Sequence, residues 1–566
     1  MAEADARHVR SVLETTCGIP LAIELVASRM GGSLTWQEAA ETLKQSFELM
    51  AVPDGESSKD KHSNMEACLN WSCERLSEPA QMLFRAISLF ANGFSTSLVE
   101  NCYGKLFGDK RQIRDSLEEI LASSLISFID DKWSFLPIVH RYAKDLLKSD
   151  DNKLIVEVVF ISYWGSFVGE KISSEEKVME NLQLLEQEHG HLTEFLNLLL
   201  ANQDYHDMYI LITNAIQGFW QIEKMWGDSI NYLERAIETA KNKAEKDPDE
   251  YQPYVAMTSN NLANLLQNKG NMDGAKELYE EALKTYETLA EKHPDAYLPD
   301  VAGTSNNLAV LLKNAGDMDG AKGLYEEALK TYKTLAEKHP DAYLPYVATT
   351  SNNLAVLLSD TGDMDGAKGL YEEALGIRRT LAEKHPDAYL PYVAMTSNNL
   401  ANLLSAKGDM DGAKRLYEEA LRTYKTLAEK HPNAYLPYVA TTSNNLANLL
   451  SAKGDMDGAK RLYEEALRIR RTLAEKHPDA YLPYVATTSN NLAVLLSAKG
   501  DMDGAKELYE EALKTYKTLA EKHPDAYLLK LATVCQNFAN LLVKTGEVER
   551  AVVLYNEVED INKRMK

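Results

Sequence analysis

Six histidines, His293, His339, His385, His431, His477 and His523, return every 46 residues, and a row of imidazoles is the first thing a metal ion or a proton relay would use. Each precedes a proline, so each is expected at a helix end, with its neighbours on adjoining hairpins roughly 10 Å away. That separation rules out shared coordination, and no Cys or His cluster has zinc-ligand spacing. Asp317-Met318-Asp319-Gly320 has the opening of a calcium loop, but the positions further along that would need oxygens hold Lys322 and Leu324. Those aspartates are expected at a helix start instead. The tyrosines Tyr279, Tyr325, Tyr371, Tyr417, Tyr463 and Tyr509 sit at helical spacing among alanines and leucines and are expected in the core. The amides remain. Asn260-Asn261 returns as Asn306-Asn307, Asn352-Asn353, Asn398-Asn399, Asn444-Asn445 and Asn490-Asn491. A carboxamide donates and accepts, so a ladder of the first asparagines could hold an extended peptide backbone of any sequence. The second asparagine of each pair is expected to brace the neighbouring unit.

Composition narrows the classes. The 566 residues are 45% hydrophobic and 26% charged with 17 prolines, which describes an ordered, helical chain of several units. A net charge of -24 repels phosphate backbones and anionic lipid, so nucleic acid and membrane are not expected partners. Cys17, Cys68, Cys73, Cys102 and Cys535 are too few and scattered for a disulfide framework. No stretch reaches the ~18 uninterrupted apolar residues of a membrane span, and Glu3, Asp5 and Arg7 follow Met1 in place of a signal peptide. A cytoplasmic location is the expectation.

The elements that carry the ladders are helical hairpins. From Thr304 to Gly316, Leu308, Leu311 and Leu312 fall on one helical face beside the small Ala309, and a glycine ends the run. This is helix A. Ala321, Leu324, Tyr325, Ala328 and Leu329 then mark helix B, with Asp317 and Asp319 where a helix N-terminus favours negative charge. Between near-identical units the differences are legible. One helix A position reads Met257, Gly303, Thr349, Met395, Thr441, Thr487; another reads Asn264, Val310, Val356, Asn402, Asn448, Val494. Helix B varies at Glu277, Gly323, Gly369, Arg415, Arg461 and Glu507. A binding surface and neutral drift after duplication both account for this pattern.

The order of small and large residues, Leu308-Ala309, Leu312, Gly316, Ala321, Tyr325 and Ala328, resembles the tetratricopeptide repeat, with a period longer than its usual ~34 residues. The extra length falls in Ala336 to Ala348, as in the long-helix hairpins of kinesin light chains. The resemblance implies an all-α fold ending in a right-handed superhelical solenoid. It also implies that Asn260, Asn264, Asn306, Asn352, Asn398, Asn402, Asn444, Asn448 and Asn490 line a concave peptide-binding groove. Trp226, Leu233 and Ala236 upstream and Asn537, Ala551 and Tyr555 downstream keep the register and resemble capping units.

In the first part, the segments Met65 to Phe94 and Leu121 to Leu147 read as two helices, a third from Ile113, then a short hairpin turning at Asp130-Asp131 and a last helix, the pattern of a winged helix. With Gly18-Ile19-Pro20-Leu21, Leu76-Ser77-Glu78 and Leu83-Phe84-Arg85 this resembles the NB-ARC and AP-ATPase class of STAND signal-transduction ATPases. The resemblance implies that Pro20 packs on adenine and that His140 reaches a nucleotide phosphate, although Val139 and Arg141 flank it where the family has Met and Asp. No GxxxxGK[ST] loop occurs, and Gly104-Lys105 is followed by Leu106. The chain by itself is therefore expected not to be an ATPase and to need no cofactor, ADP or ATP entering only with a nucleotide domain upstream.

The expected organisation is a helical subdomain at 1–60, a winged helix at 61–150, a helical arm at 151–240, six hairpins at 241–532 and a capping unit at 533–566. The expected function is the non-catalytic, ligand-sensing and autoinhibitory half of a STAND receptor that binds a protein or peptide. Self-association through the solenoid or an upstream domain is a further expected contact. A freestanding tetratricopeptide scaffold is the alternative, and DNA binding through the winged helix a third class.

Overall fold

The computed structural model describes residues 61–565 except Asn92, Ser174, Glu223 and Lys224, together with a few isolated positions before residue 61. Pro20 and the apolar segment around it lie outside the described residues. The chain divides into two compact units, Met1–Gly270 and Asn271–Lys566. The division falls between the two helices of the first near-identical hairpin.

In the first unit, helices Lys61–Glu74, Glu78–Ala86, Thr96–Phe107 and Lys110–Ala122 lead into strands Ser127–Ile129 (β1) and Lys132–Ser134 (β2) and then helix Pro137–Lys148. Local chemistry sets these boundaries. Ser95 caps its helix by accepting the Leu98 N–H at 3.1 Å, Asp109 does the same for Arg111 at 2.9 Å, and Pro137 opens the last helix. Asp130 and Asp131 both take positive φ, the geometry of a two-residue hairpin turn, so β1 and β2 pair with Phe128 opposite Trp133. Phe94 adds a single antiparallel bridge to Trp133 beside this two-stranded sheet. The core gathers Phe84, Phe90, Phe94, Tyr103 and Phe135. Helices Lys153–Lys171, Leu182–Ala201, His206–Ile222, Trp226–Ala244 and Pro248–Lys269 complete the unit.

The second unit is built of hairpins. Helix B runs Met318–Lys338 and helix A Pro340–Asp360, and the same pair recurs to Pro524–Lys544 and Val548–Arg564. The residues beyond the usual repeat length are not a loop. Helix B ends at His339, and Pro340 restarts the chain at once as the first residue of helix A, where its missing N–H costs nothing. Both helices are thus lengthened. At the other turn Gly316 takes φ 91° and Asp317 accepts the Gly320 N–H at 2.9 Å. A Cβ on Gly320 would stand 2.5 Å from the capping carboxylate, so the cap itself requires that glycine.

The last hairpin departs from a polar capping unit: Val543, Val548, Val552 and Val553 are exposed. Cys68, Cys73, Cys102 and Cys535 are buried. Among the described residues one helix, Pro524–Lys544, is long and apolar enough to cross a membrane by length and composition, and half of its apolar window is buried in the fold.

Candidate functional site

The small and aromatic residues that never vary between units form the hairpin cores. Ala321, Tyr325 and Ala328 and their equivalents are buried, as the spacing predicts. The histidines lie exposed at the junction of helix B and helix A, each with its backbone N–H closing the last turn, as His339 does on the Leu335 carbonyl at 2.9 Å.

The asparagine ladder is first a brace. Asn353 Nδ2 donates to Asn306 Oδ1 at 3.3 Å, and the contact repeats as Asn399 to Asn352, Asn445 to Asn398, Asn491 to Asn444 and Asn537 to Asn490 at 3.1 to 3.4 Å. Each second asparagine therefore ties one hairpin to the previous one, and it does so by taking the oxygen of the first. Asn352 and Asn444 are buried. In the first unit the same contact joins Asn261 to Asn214 at 2.8 Å, so the register starts earlier than the near-identical copies suggest. Asn264 donates to the Asn260 carbonyl at 3.0 Å. The amide oxygen is spent on packing, and at Asn306 and Asn490 the Nδ2 also donates to the neighbouring Asn307 and Asn491 at 3.5 and 3.4 Å. Asn402 and Asn448 are exposed, and each accepts the hydroxyl of a core tyrosine, Tyr417 and Tyr463.

The exposed face of helix A carries an aromatic row that composition and repeat matching did not single out. Tyr346, Tyr438 and Tyr484 are 52%, 49% and 52% exposed, with Tyr392 half-buried in the same register. Thr349 and Thr441, one turn on, are exposed beside them. Helix B supports each ring from behind in one of two ways. Tyr332 stacks on Tyr346 and Tyr424 on Tyr438, with centroids 5.2 Å apart. Arg378 lies over Tyr392 and Arg470 over Tyr484, each 5.4 Å from the ring centroid. The signal was present as the alternation Tyr332, Arg378, Tyr424, Arg470 in otherwise matching copies. In the second hairpin Asp300 replaces the row's tyrosine and Gly303 the threonine. There the Tyr332 hydroxyl fills the gap, donating to the Pro299 carbonyl at 3.3 Å. Surface ion pairs tie successive B helices together, Lys333 to Glu373, Arg379 to Glu419 and Lys425 to Glu465 at 2.7 to 2.8 Å.

In the first unit His140 is half-buried. Its Nε2 donates to the Ser88 carbonyl at 2.8 Å and its ring stacks on Phe135 at 5.0 Å, and burial holds it below the usual histidine range. The imidazole proposed for a phosphate is thus engaged within its own module. Nearby, His191 Nδ1 accepts the Ala91 N–H at 2.9 Å, and burial pushes it down to about 4. Among the described residues no group of His, Cys, Asp and Glu is placed to hold a metal ion.

Comparison with known proteins gives the hairpins their class. The tetratricopeptide repeat matches residues 255–295, 300–380, 346–426, 392–472 and 438–518. These hairpins are tetratricopeptide repeats. A putative HTH-type transcriptional regulator of Mycobacterium tuberculosis is 26% identical over 221 residues, 36% of this chain and 25% of that protein. The chain thus spans a quarter of the length of the curated relatives it matches. Among solved structures, BtubC from P. vanneervenii is 29% identical over 43% of this chain and 90% of its own, with a TM-score of 0.36. A Signal Transduction ATPase with Numerous Domains bearing a tetratricopeptide repeat sensor, from Pyrococcus horikoshii, is 15% identical over 90% of this chain and 74% of its own, with a TM-score of 0.42.

Proposed function

We propose that the tetratricopeptide face formed by the exposed side of helix A captures a protein or peptide, and that this chain is the ligand-sensing, autoinhibitory half of a STAND-type signalling receptor. The observation that carries the capture is the contrast along each hairpin. The buried positions of Ala321, Tyr325 and Ala328 keep one identity, while exposed helix A positions such as those of Thr349 and Asn402 change from copy to copy around a half-exposed tyrosine row. Tyrosine at such a surface offers large contact area at low entropic cost. The asparagine braces and capped turns hold that face rigid, so a ligand meets a formed surface.

The sensor assignment is supported by the first unit. Helices Glu78–Ala86, Thr96–Phe107 and Lys110–Ala122, the β1–β2 hairpin and helix Pro137–Lys148 follow one another in the order expected of a winged helix, and this segment contacts the helices after it through Ala91 and His191. A ligand with different affinity for two arrangements of that module would shift between them. The chain supplies no chemistry of its own, and ADP or ATP belongs to a nucleotide domain outside it. The test is the intact mass of the endogenous protein against the 63.4 kDa of this chain, followed by ADP binding to any longer form. A longer species that retains ADP supports the receptor. A species of matching mass without nucleotide moves the freestanding scaffold to first place.

A further inference from the structure

The second unit buries two charges without a counter-ion. Arg378 is 2% exposed and Arg470 5% exposed, and among the described residues no carboxylate pairs with either. The two bridges in that stretch belong to the adjacent Arg379 and Arg471. Each buried guanidinium is satisfied by neutral groups. Arg378 donates through Nη1 to the Thr396 hydroxyl and to the Tyr392 carbonyl at 3.4 Å, and through Nη2 to Thr349 Oγ1 at 3.3 Å. Arg470 repeats the set on Thr488, the Tyr484 carbonyl at 3.2 Å and Thr441 Oγ1 at 3.4 Å. Burial pushes both down to about 10, so both remain cations at neutral pH.

Packing does not demand them. The same position holds Tyr286, Tyr332, Tyr424 and Tyr516 in the other hairpins, where a buried tyrosine fills the space, and the hydroxyls of Tyr332 and Tyr516 serve helix A carbonyls, Pro299 at 3.3 Å and Pro483 at 3.1 Å. Two hairpins therefore carry a desolvated charge where a neutral ring suffices, at a cost that a purely structural role does not require. Each charge lies directly behind the exposed face, its Nη2 on an exposed threonine and its plane over a tyrosine of the row. A cation in a low-dielectric wall focuses its field outward through the thin layer that covers it.

We propose that Arg378 and Arg470 are the specificity-determining residues of this face, and that its ligand is an acidic segment of a protein with carboxylates at two places two hairpins apart. The proposal rests on the ligand-capture reading given above. Hairpins packed at about 10 Å put the two places on the order of 20 Å apart, about six residues of extended chain. A polyanion such as nucleic acid fits less well, because its affinity comes from many Lys and Arg contacts along a phosphate backbone, and the proposal rests on two cations spaced two hairpins apart.

The test is selection of a random 15-residue peptide library on the full chain and on the Arg378→Tyr/Arg470→Tyr double variant, which installs the residue four sister hairpins already pack. Wild type is expected to enrich peptides with Asp or Glu at two positions about six residues apart. Synthetic versions should bind the variant about tenfold more weakly or worse, lose affinity when both acids become amides, and bind Arg378→Lys/Arg470→Lys more tightly than the tyrosine variant. Enriched peptides that lack the paired acids, or that bind wild type and the tyrosine variant equally, would overturn the proposal while leaving ligand capture intact. A library that yields no binder would overturn both.

Discussion

The two units spend their polar groups differently. In the array at 271–566 one set of amides, caps and ion pairs recurs from hairpin to hairpin, so stability is assembled from neighbour contacts and the exposed face of helix A is left free to vary. In the first unit the contacts that join distant segments are each made once, as between His140 and Ser88 and between His191 and Ala91. A repeat array can change its surface one hairpin at a time, whereas the first unit has little that can change without loosening a whole module. That suits the array to recognition and the first unit to a cooperative response.

The sharpest way to break this comparison is to cut the same amount from each core. Phe90→Ala removes a ring that meets Phe94, Tyr103, Phe160 and His191. It is expected to cost about 3–5 kcal/mol and to collapse the near-UV dichroism of the first unit as a whole. Tyr371→Ala in the array removes a comparable volume, but proteolysis should find cleavage confined to its own and adjoining hairpins. Unfolding of the whole array would contradict the one-dimensional account.

Acid should separate the units next. His191 titrates near 4 in the fold against an ordinary 6.5, so the unfolded chain binds the proton first. Its contribution is present above about pH 6.5 and is lost as the pH falls toward 4, up to about 3 kcal/mol. His140, depressed in the same direction, adds to that loss. Hydrogen exchange between pH 7 and pH 4.5 should loosen the first unit before the array, and simultaneous loss would remove the distinction. A smaller effect is expected from Asn398→Ala, which deletes the acceptor of Asn445 and should cost about 1 kcal/mol by denaturant titration with helicity unchanged. Smallest is Lys333→Ala, which breaks an exposed pair to Glu373 and should shift stability by under about 0.5 kcal/mol.

How much of this was legible before the structure follows the same division. Alanine, leucine and tyrosine spacing identified the hairpins and their core because six copies repeat one steric solution. The aspartate pattern was readable as a cap because its later positions could not bind calcium, and Asp317 does accept the Gly320 N–H. The second asparagines were expected as braces and are so. That the first asparagines supply the other half of that brace was hidden, because a carboxamide suited to a peptide is equally suited to another carboxamide. The tyrosine row and the arginines behind it were also missed. They lie on different helices, 14 residues apart at Arg378 and Tyr392, and meet only once the hairpin closes. In the first unit the hairpin at Asp130-Asp131 was readable from turn chemistry, but the contact of His140 with Ser88 spans 52 residues and no local pattern announces it.

The central claim is that the exposed face of helix A captures a peptide, and the most direct measurement removes that face without touching the core. Peptides selected on the wild-type chain would be titrated against Tyr346→Ala/Tyr438→Ala/Tyr484→Ala and against a control with the outer pairs removed, Lys333→Ala/Lys425→Ala. The account predicts that the tyrosine variant keeps its circular dichroism and loses about tenfold or more in affinity, while the control binds as wild type does. Unchanged binding by the tyrosine variant, or loss confined to the control, would contradict it.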